Sequence, residues 1–277
     1  MEFVSTRGDS PQVSAADAIL QGPAPDGGLY VPRELPSLPD EVFDTHLSYQ
    51  EAAELILRPF FEGDRLEAQL PDLCRSAFSF DVPLHELEEN RLVLELFHGP
   101  TAAFKDFGAR FLAAALTELQ SEASDELTVL VATTGNTGGA MGAAFHGLKG
   151  LNVKILFPKG QVSGRQFKQL TCWGGNIHSY EVDGEFEDCQ QLVKSALFSE
   201  DLTRRYRLTS GNSVNIGRLL PQIVYYIYGS VLFQHTTGRR PIVIIPSGNV
   251  GNSVGAYYAA AMGAPIDRIV QIGRAHV

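Results

Sequence analysis

The strongest constraint on the fold is an alternation that begins at Arg91 and runs to the end of the chain: short apolar strand, glycine-containing loop, helix. Leu127 to Ala132 (L-T-V-L-V-A) and Ile242 to Ile245 are continuous apolar runs of the kind buried on both faces of a parallel sheet. Val153 to Phe157, Ile177 to Val182 and Leu208 to Gly211 read as further strands. Between them lie helical stretches. Phe107 to Leu119 places Phe107, Phe111, Ala115 and Leu119 on one face. An Ala- and Gly-rich helix follows Gly139, another spans Phe186 to Leu197, a long one reaches about Gln234, and a last one covers Ser253 to Met262. Strands alternating with helices predict an α/β protein with a mostly parallel, doubly wound sheet. No repeat of fixed period is present.

Residues 1–80 lack this rhythm and predict a separate, mostly helical lobe. Ser14 to Leu20 is a short helical pattern closed by Gly22 and Pro23, and Glu51 to Phe61 has helical spacing. The turn P-D-G-G (Pro25 to Gly28) leads into a short strand, Leu29 to Val31, before a proline-marked loop.

Composition narrows the function classes. At 277 residues, with 44% hydrophobic and 19% charged residues, the chain has the make-up of an ordinary globular protein. A formal net charge of -10 argues against nonspecific binding to nucleic acid or anionic membrane, which needs a positive surface. It leaves room for a small anion in a local basic pocket. Cys74, Cys172 and Cys189 are widely spaced and read as buried thiols in a reducing compartment, with neither a disulfide frame nor a metal site. The opening M-E-F-V-S-T-R-G-D has no signal-peptide pattern, and the apolar run Ile223 to Phe233 is too short for a membrane span. A cytoplasmic location is expected.

Four stretches carry candidate chemistry. In H-G-P-T-A-A-F-K-D (His98 to Asp106), Lys105 stands between a strand-like run, Arg91 to Phe97, and a helix-like run from Phe107, with Asp106 as a helix N-cap. Apolar bulk from Ala102, Ala103 and Phe104 disfavours an ammonium, and a neutral lysine amine can form a Schiff base. The alternative is a solvated lysine beside a capped helix. P-S-G-N-V-G-N (Pro246 to Asn252) offers unobstructed backbone N–H groups at a helix start, an anion cradle suited to phosphate or simply a connecting turn. It is neither a Walker A loop nor a dinucleotide fingerprint. T-T-G-N-T-G-G (Thr133 to Gly139) adds hydroxyls and an amide that suit a carboxylate or phenolate oxygen, or cap a helix. In N-S-V-N-I-G-R (Asn212 to Arg218), an Asn212 cap would put Arg218 about a turn and a half into the helix, where its fork could reach an anion or make a surface ion pair. His98 reads as structural, Arg165 and Lys168 as a solvated helix face, and Trp173 as core.

Taken together, these four motifs resemble the threonine synthases, a family of pyridoxal-phosphate (PLP) enzymes of the tryptophan-synthase-β fold type (fold type II). V-S-T-R-G-D and Q-G-P-A-P-D-G-G-L-Y-V-P resemble that family's N-terminal domain. The resemblance implies three segments: an N-terminal domain (1–80), a PLP-dependent lyase domain incomplete at its C-terminus (81–271), and a tail (272–277) that is unlike the family and expected to be non-native. It implies that Lys105 holds PLP covalently and shuttles protons. Ser247, Gly248, Asn249, Val250, Gly251 and Asn252 would grip the cofactor phosphate. Thr133, Thr134, Gly135, Asn136 and Thr137 would bind the substrate carboxylate, with Asn136 near the cofactor's phenolic oxygen. Asn212, Ser213, Asn215 and Arg218 would bind a substrate phosphate, and no metal is implied. The implied reaction converts O-phospho-L-homoserine and water into L-threonine and phosphate, in a monomer or homodimer. The alternatives are a catabolic phospholyase or dehydratase of the same fold, an inactive fragment that keeps the loops, or, more remotely, a nucleotide-binding protein. Val250 stands where the family usually has Phe. In the family the chain continues well past the phosphate loop, so truncation is expected, along with an exposed strand edge and poor solubility or weak PLP binding.

Overall fold

The computed structural model describes residues 1–121 and 123–273. β1 (Phe3–Ser5) pairs antiparallel with β2 (Tyr30–Pro32), and α1 (Ala15–Gln21) lies between them in sequence, opened by the Ser14 side chain accepting from Asp17 N–H. α2 (Tyr49–Phe61) starts at a reciprocal Ser48–Glu51 capping box and buries Ala52, Ala53, Ile56, Leu57, Phe60 and Phe61. α3 (Leu70–Ala77) follows. These helices share a continuous core with the elements that follow. Phe3, Ile19, Ile56, Phe61 and Phe78 belong to one continuous buried cluster with Phe107, Phe111 and Val224. The Phe78 ring stacks on Phe111, centroids 6.2 Å apart, and Phe61 lies 6.1 Å from the same ring. The reason is geometric: three short helices with one apolar face each bury that face best against a larger neighbour.

β3 (Leu84–Glu88) and β4 (Arg91–Leu94) form an antiparallel hairpin turned at Asn90, whose φ is 62°. The run from Arg91, expected as a strand of the main sheet, is therefore one arm of this hairpin. α4 (Lys105–Gln120) then begins the regular alternation: β5 (Leu127–Ala132), α5 (Asn136–Phe145), β6 (Leu151–Pro158), α6 (Gly164–Thr171), β7 (Ile177–Val182), α7 (Phe186–Leu197), α8 (Glu200–Arg205) and β8 (Arg207–Ser210). The four strands form a parallel sheet in the order β7-β6-β5-β8. Both faces are covered. Val129 and Val131 point into the main core, while Leu130 and Ala132 pack on Cys189 and Val193 of α7. After β7 the chain crosses to the other side of β5, so the strand order reverses between β5 and β8. In open α/β sheets ligands bind at such a switch point, beyond the carboxyl ends of the strands.

α9 (Ile216–Thr237) is buried from Ile216 to Ile227 and packs against α4 on one side and α10 on the other. It separates the four-stranded sheet from β9 (Ile242–Pro246) and β10 (Arg268–Ile272), a parallel pair flanking α10 (Gly251–Ala261). The parallel strands expected in one sheet thus fall in two, with a helix buried over its first three turns between them. Ile242, Ile244, Val270 and Ile272 form an exposed apolar row on the pair, with Ile244 61% exposed opposite Val270. Cys74 and Cys189 are buried, but Cys172 is exposed, just past α6. Trp173 is only half-buried, its indole N–H donating to Gln169 O. Arg165 and Lys168 are exposed. Of the tail 272–277, Ile272 closes β10 and residues 274–277 lie outside the described residues. No described helix is long and apolar enough to cross a membrane.

Candidate functional site

α4 opens at Lys105 itself, with Phe104 in the cap position. Asp106, expected as the cap, lies inside the first turn and is buried. Its carboxylate reaches back to accept from Thr101 N–H (2.9 Å) and Thr101 Oγ1 (2.7 Å). That closes the loop before the lysine. The closure holds Ala102 in the left-handed region at φ 53°, which costs a non-glycine residue about 1 kcal/mol. It also requires Gly99, because a Cβ there would stand 2.5 Å from Asp106 Oδ2. The Lys105 ammonium nitrogen lies 4.3 Å from the centroid of the Phe104 ring. Burial, with the positive charge of Arg218 as the second cause, pushes the Lys105 pKa from 10.5 down to about 8. Its surroundings disfavour the charged form, so a larger fraction of the amine is neutral near pH 7 than in an ordinary lysine.

The loops at the switch point come next. Thr133 is buried at the end of β5, and its Oγ1 accepts from Gly135 N–H and Gly138 N–H, each at 3.0 Å. Its hydroxyl therefore caps the start of α5, as a threonine there readily does. Gly135 takes φ 142°, a conformation that favours glycine, and a Cβ there would collide with Gln166 of α6. The turn leaves Thr134 and Asn136 exposed and Thr137 half-buried, with Asn136 Oδ1 3.4 Å from Gln166 Nε2.

Across the switch point, Asn212 does not cap α9. Its amide clamps the end of β5, Oδ1 accepting from Ala132 N–H (2.9 Å) and Nδ2 donating to Ala132 O (2.7 Å). Asn215 is the cap: its Oδ1 accepts from Gly217 N–H at 2.9 Å, while its Nδ2 donates to Ile19 O (2.9 Å) and Ser210 O (3.0 Å). Ser213, between them, is exposed. Arg218 is only 2% exposed, so neither the surface ion pair nor an outward-facing fork describes it. Its Nη1 donates to Gly211 O at 2.5 Å, its Nε has no partner, and burial pushes its pKa down to about 10.

The glycine-rich loop after β9 is anchored by Ser247, whose N–H donates to Ile272 O (3.0 Å) and whose hydroxyl bonds Asn249 O. Among the described residues, the backbone N–H groups of Gly248, Asn249, Val250, Gly251, Asn252 and Ser253 find no protein acceptor. They gather at the start of α10, where the helix dipole adds partial positive charge. Val250 is 57% exposed. Asn252 is buried, its Oδ1 accepting from both Tyr225 OH (2.5 Å) and Tyr226 OH (2.9 Å) of α9. Ser253 Oγ is buried without a partner.

All four motifs meet. Asn212 ties the β8 loop to the β5 loop, and Gly251 packs against Ser213, a Cβ at Gly251 falling 3.2 Å from Ser213 Cβ. Gly108, one turn beyond Lys105, lies directly on Arg218. The Thr101–Asp106 closure and the Tyr225–Tyr226 pair were not singled out in the sequence. An acid in a first helical turn and two adjacent tyrosines inside an apolar helix are the signals, since a buried hydroxyl needs a partner. His98 Nε2 lies 2.6 Å from Glu95 Oε2, a local pair consistent with a structural role.

Comparison with known proteins identifies the family. The family model described as threonine synthase N terminus matches residues 2–78, and that described as pyridoxal-phosphate dependent enzyme matches residues 81–275. Threonine synthase of Haemophilus influenzae is 39% identical over 270 residues, which is 98% of this chain and 63% of that protein. The crystal structure of the Escherichia coli threonine synthase superposes with a TM-score of 0.89 at 38% identity, over 97% of this chain and 63% of that one. A PLP-bound threonine synthase from Brucella melitensis gives 0.85 at 36% identity, over 98% and 60%. The chain thus spans somewhat under two thirds of these relatives' length. Matched over most of its residues by that second model, the chain belongs to the pyridoxal-phosphate dependent enzyme family.

Proposed function

We propose that this chain carries the PLP site and substrate-binding loops of a threonine synthase, the enzyme that converts O-phospho-L-homoserine and water into L-threonine and phosphate. The observation that carries the reading is the Lys105 amine, lowered to about 8 and joined through Arg218, Asn212 and Ser213 to three loops that expose anion-binding groups. The match of residues 2–78 to a threonine synthase N terminus supports this choice within the family.

The residues fit PLP. The unpaired N–H groups from Gly248 to Ser253 suit a phosphate, and the orphaned Ser253 hydroxyl lies in the same turn. Bound PLP supplies an electron sink for negative charge developing on the substrate's carbon atoms. Lys105 Nζ, neutral in an appreciable fraction at physiological pH, would hold the cofactor covalently and, once the substrate's amine has displaced it, would be free to move the proton at the substrate's Cα. Thr134, Gly135, Asn136 and Thr137 bind the substrate carboxylate, with Thr133 setting the turn through its two accepted N–H bonds. Ser213 meets the substrate phosphate at the surface, Asn212 and Asn215 fix its loop, and Arg218 contributes positive charge and an unpartnered Nε from behind. The reading includes a reducing cytoplasmic setting, which the free thiols of Cys74, Cys172 and Cys189 support.

The test is incubation with PLP and O-phospho-L-homoserine, following phosphate release and the organic product. Threonine supports the proposal; 2-oxobutyrate in its place points to a dehydratase-type lyase. Lys105→Ala is expected to abolish both the cofactor–lysine absorbance band and turnover.

A further inference from the structure

Asn252 sits in the first turn of α10, next to the loop whose N–H groups are unpaired, and is 8% exposed. Two hydroxyls converge on one of its atoms: Tyr225 OH at 2.5 Å and Tyr226 OH at 2.9 Å, both on Oδ1. Tyr226 has no other side-chain partner among the described residues, so its hydrogen goes to Asn252. The single Tyr225 hydrogen goes to the nearer acceptor, Asn252 Oδ1 at 2.5 Å; Gln222 Oε1, at 3.2 Å, is a second and weaker acceptor, and Gln222 Nε2 donates to Arg218 O at 2.7 Å. Burial raises the pKa of both tyrosines, that of Tyr225 well above 10, so both remain hydrogen donors across any working pH.

A carboxamide gripped at its oxygen by two donors cannot exchange its ends without breaking both bonds. Its NH2 group is thereby directed to the opposite edge. Asn252 Nδ2 has no protein acceptor among the described residues and is not among the fully buried unpartnered atoms, so it keeps some solvent access. The backbone N–H groups of Gly248 to Asn252, in the same turn, likewise have no protein acceptor among the described residues.

We propose that Tyr225 and Tyr226 are positioning residues that clamp Asn252 Oδ1 and so fix its Nδ2–H groups as donors to the phosphate bound at the start of α10. The inference rests on the PLP reading above and adds how α9, the helix that carries Arg218, sets the phosphate grip. Neither tyrosine touches the phosphate; both act through the amide.

The test compares PLP with pyridoxal, which lacks the phosphate, as ligands of the 277-residue protein, by spectroscopic titration. In the Tyr225→Phe/Tyr226→Phe variant, affinity for PLP is expected to fall about tenfold or more, the size of one lost hydrogen bond to a charged group, while affinity for pyridoxal stays unchanged. Should that variant not fold, Asn252→Asp keeps an oxygen between the two hydroxyls and removes the NH2. PLP affinity then falls and pyridoxal affinity does not. Unchanged PLP affinity, or an equal loss for both ligands, overturns the clamp. A wild-type protein that binds PLP and pyridoxal alike overturns the phosphate assignment of the loop and the clamp with it, whereas wild-type discrimination that survives in the variants overturns the clamp alone.

Discussion

Gly108 offers a clean test of how α4 and α9 are held together behind the site. It lies three residues beyond Lys105, and a Cβ added there would stand 2.8 Å from the carbonyl oxygen of Arg218 and 2.9 Å from its Nε. Ordinary contact begins near 3.4 Å, so the two helices would have to part by roughly half an ångström. The nearer atom is backbone, which cannot step aside by changing rotamer. Two effects oppose each other in Gly108→Ala. Relief of glycine's chain entropy stabilises by about 0.5–1 kcal/mol, and forcing an extra methyl into a packed interface costs about 1–3 kcal/mol. The second wins, with a net loss of about 1–2 kcal/mol. Gly139 in α5 supplies the control, since the nearest atom to its added Cβ is Gln169 Cβ at 3.5 Å, an ordinary contact. Gly139→Ala is therefore expected to stabilise by about 0.5–1 kcal/mol. In thermal denaturation, where each kcal/mol moves the midpoint roughly 2–4 °C for a chain of this size, the two alanines shift Tm in opposite directions. Equal shifts of the same sign would refute the close approach of α4 to Arg218.

The Lys105 amine is expected to titrate near 8 when its pKa is read by pH-dependent competitive acylation and peptide mass spectrometry. At pH 7 that leaves about 300 times more neutral amine than a lysine at 10.5. Because the folded pKa lies below the unfolded one, this group's contribution to stability should rise as pH climbs from about 8 through 10.5; a flat profile there contradicts the shift. Asn212→Ala removes both bonds to Ala132 and leaves the end of β5 unpaired, an expected loss of about 2–4 kcal/mol by urea denaturation. A loss below 0.5 kcal/mol would show the clamp to be incidental. Ile244→Lys, on the exposed face of β9, should leave stability within about 0.5 kcal/mol and reduce self-association in static light scattering, as breaking an apolar edge does.

Much of this was legible in the residues because it follows from local chemistry. Leu127 to Ala132 and Phe186 to Leu197 form the elements their patterns specify, residue for residue. The expected lowering of the lysine is present, but it comes from burial of Lys105 itself and the charge of Arg218, with Ala102 exposed and Ala103 and Phe104 half-buried. What the pattern did not carry is long-range. A run such as Arg91 to Leu94 has the same local preference as a hairpin arm or a sheet strand, and only pairing partners decide. Asn212 and Asn215 are chemically identical candidates for the α9 cap. The choice depends on Ala132 and Ile19, which are distant in sequence. Arg218 was read as facing an anion or making a surface ion pair; its burial behind Gly108 of α4 is a contact invisible from either helix alone. The N-terminal helices merged into the main core for the same reason, through Phe61 and Phe78 on Phe111.

On the proposed function, one amine, at the start of α4, receives the cofactor. Loading the protein with PLP, reducing it with borohydride and mapping the peptides tests this directly. The expected result is a phosphopyridoxyl mass on the peptide containing Lys105 and on no other lysine. A label on a different side chain, or a protein that takes up no label after saturation with PLP, would contradict it.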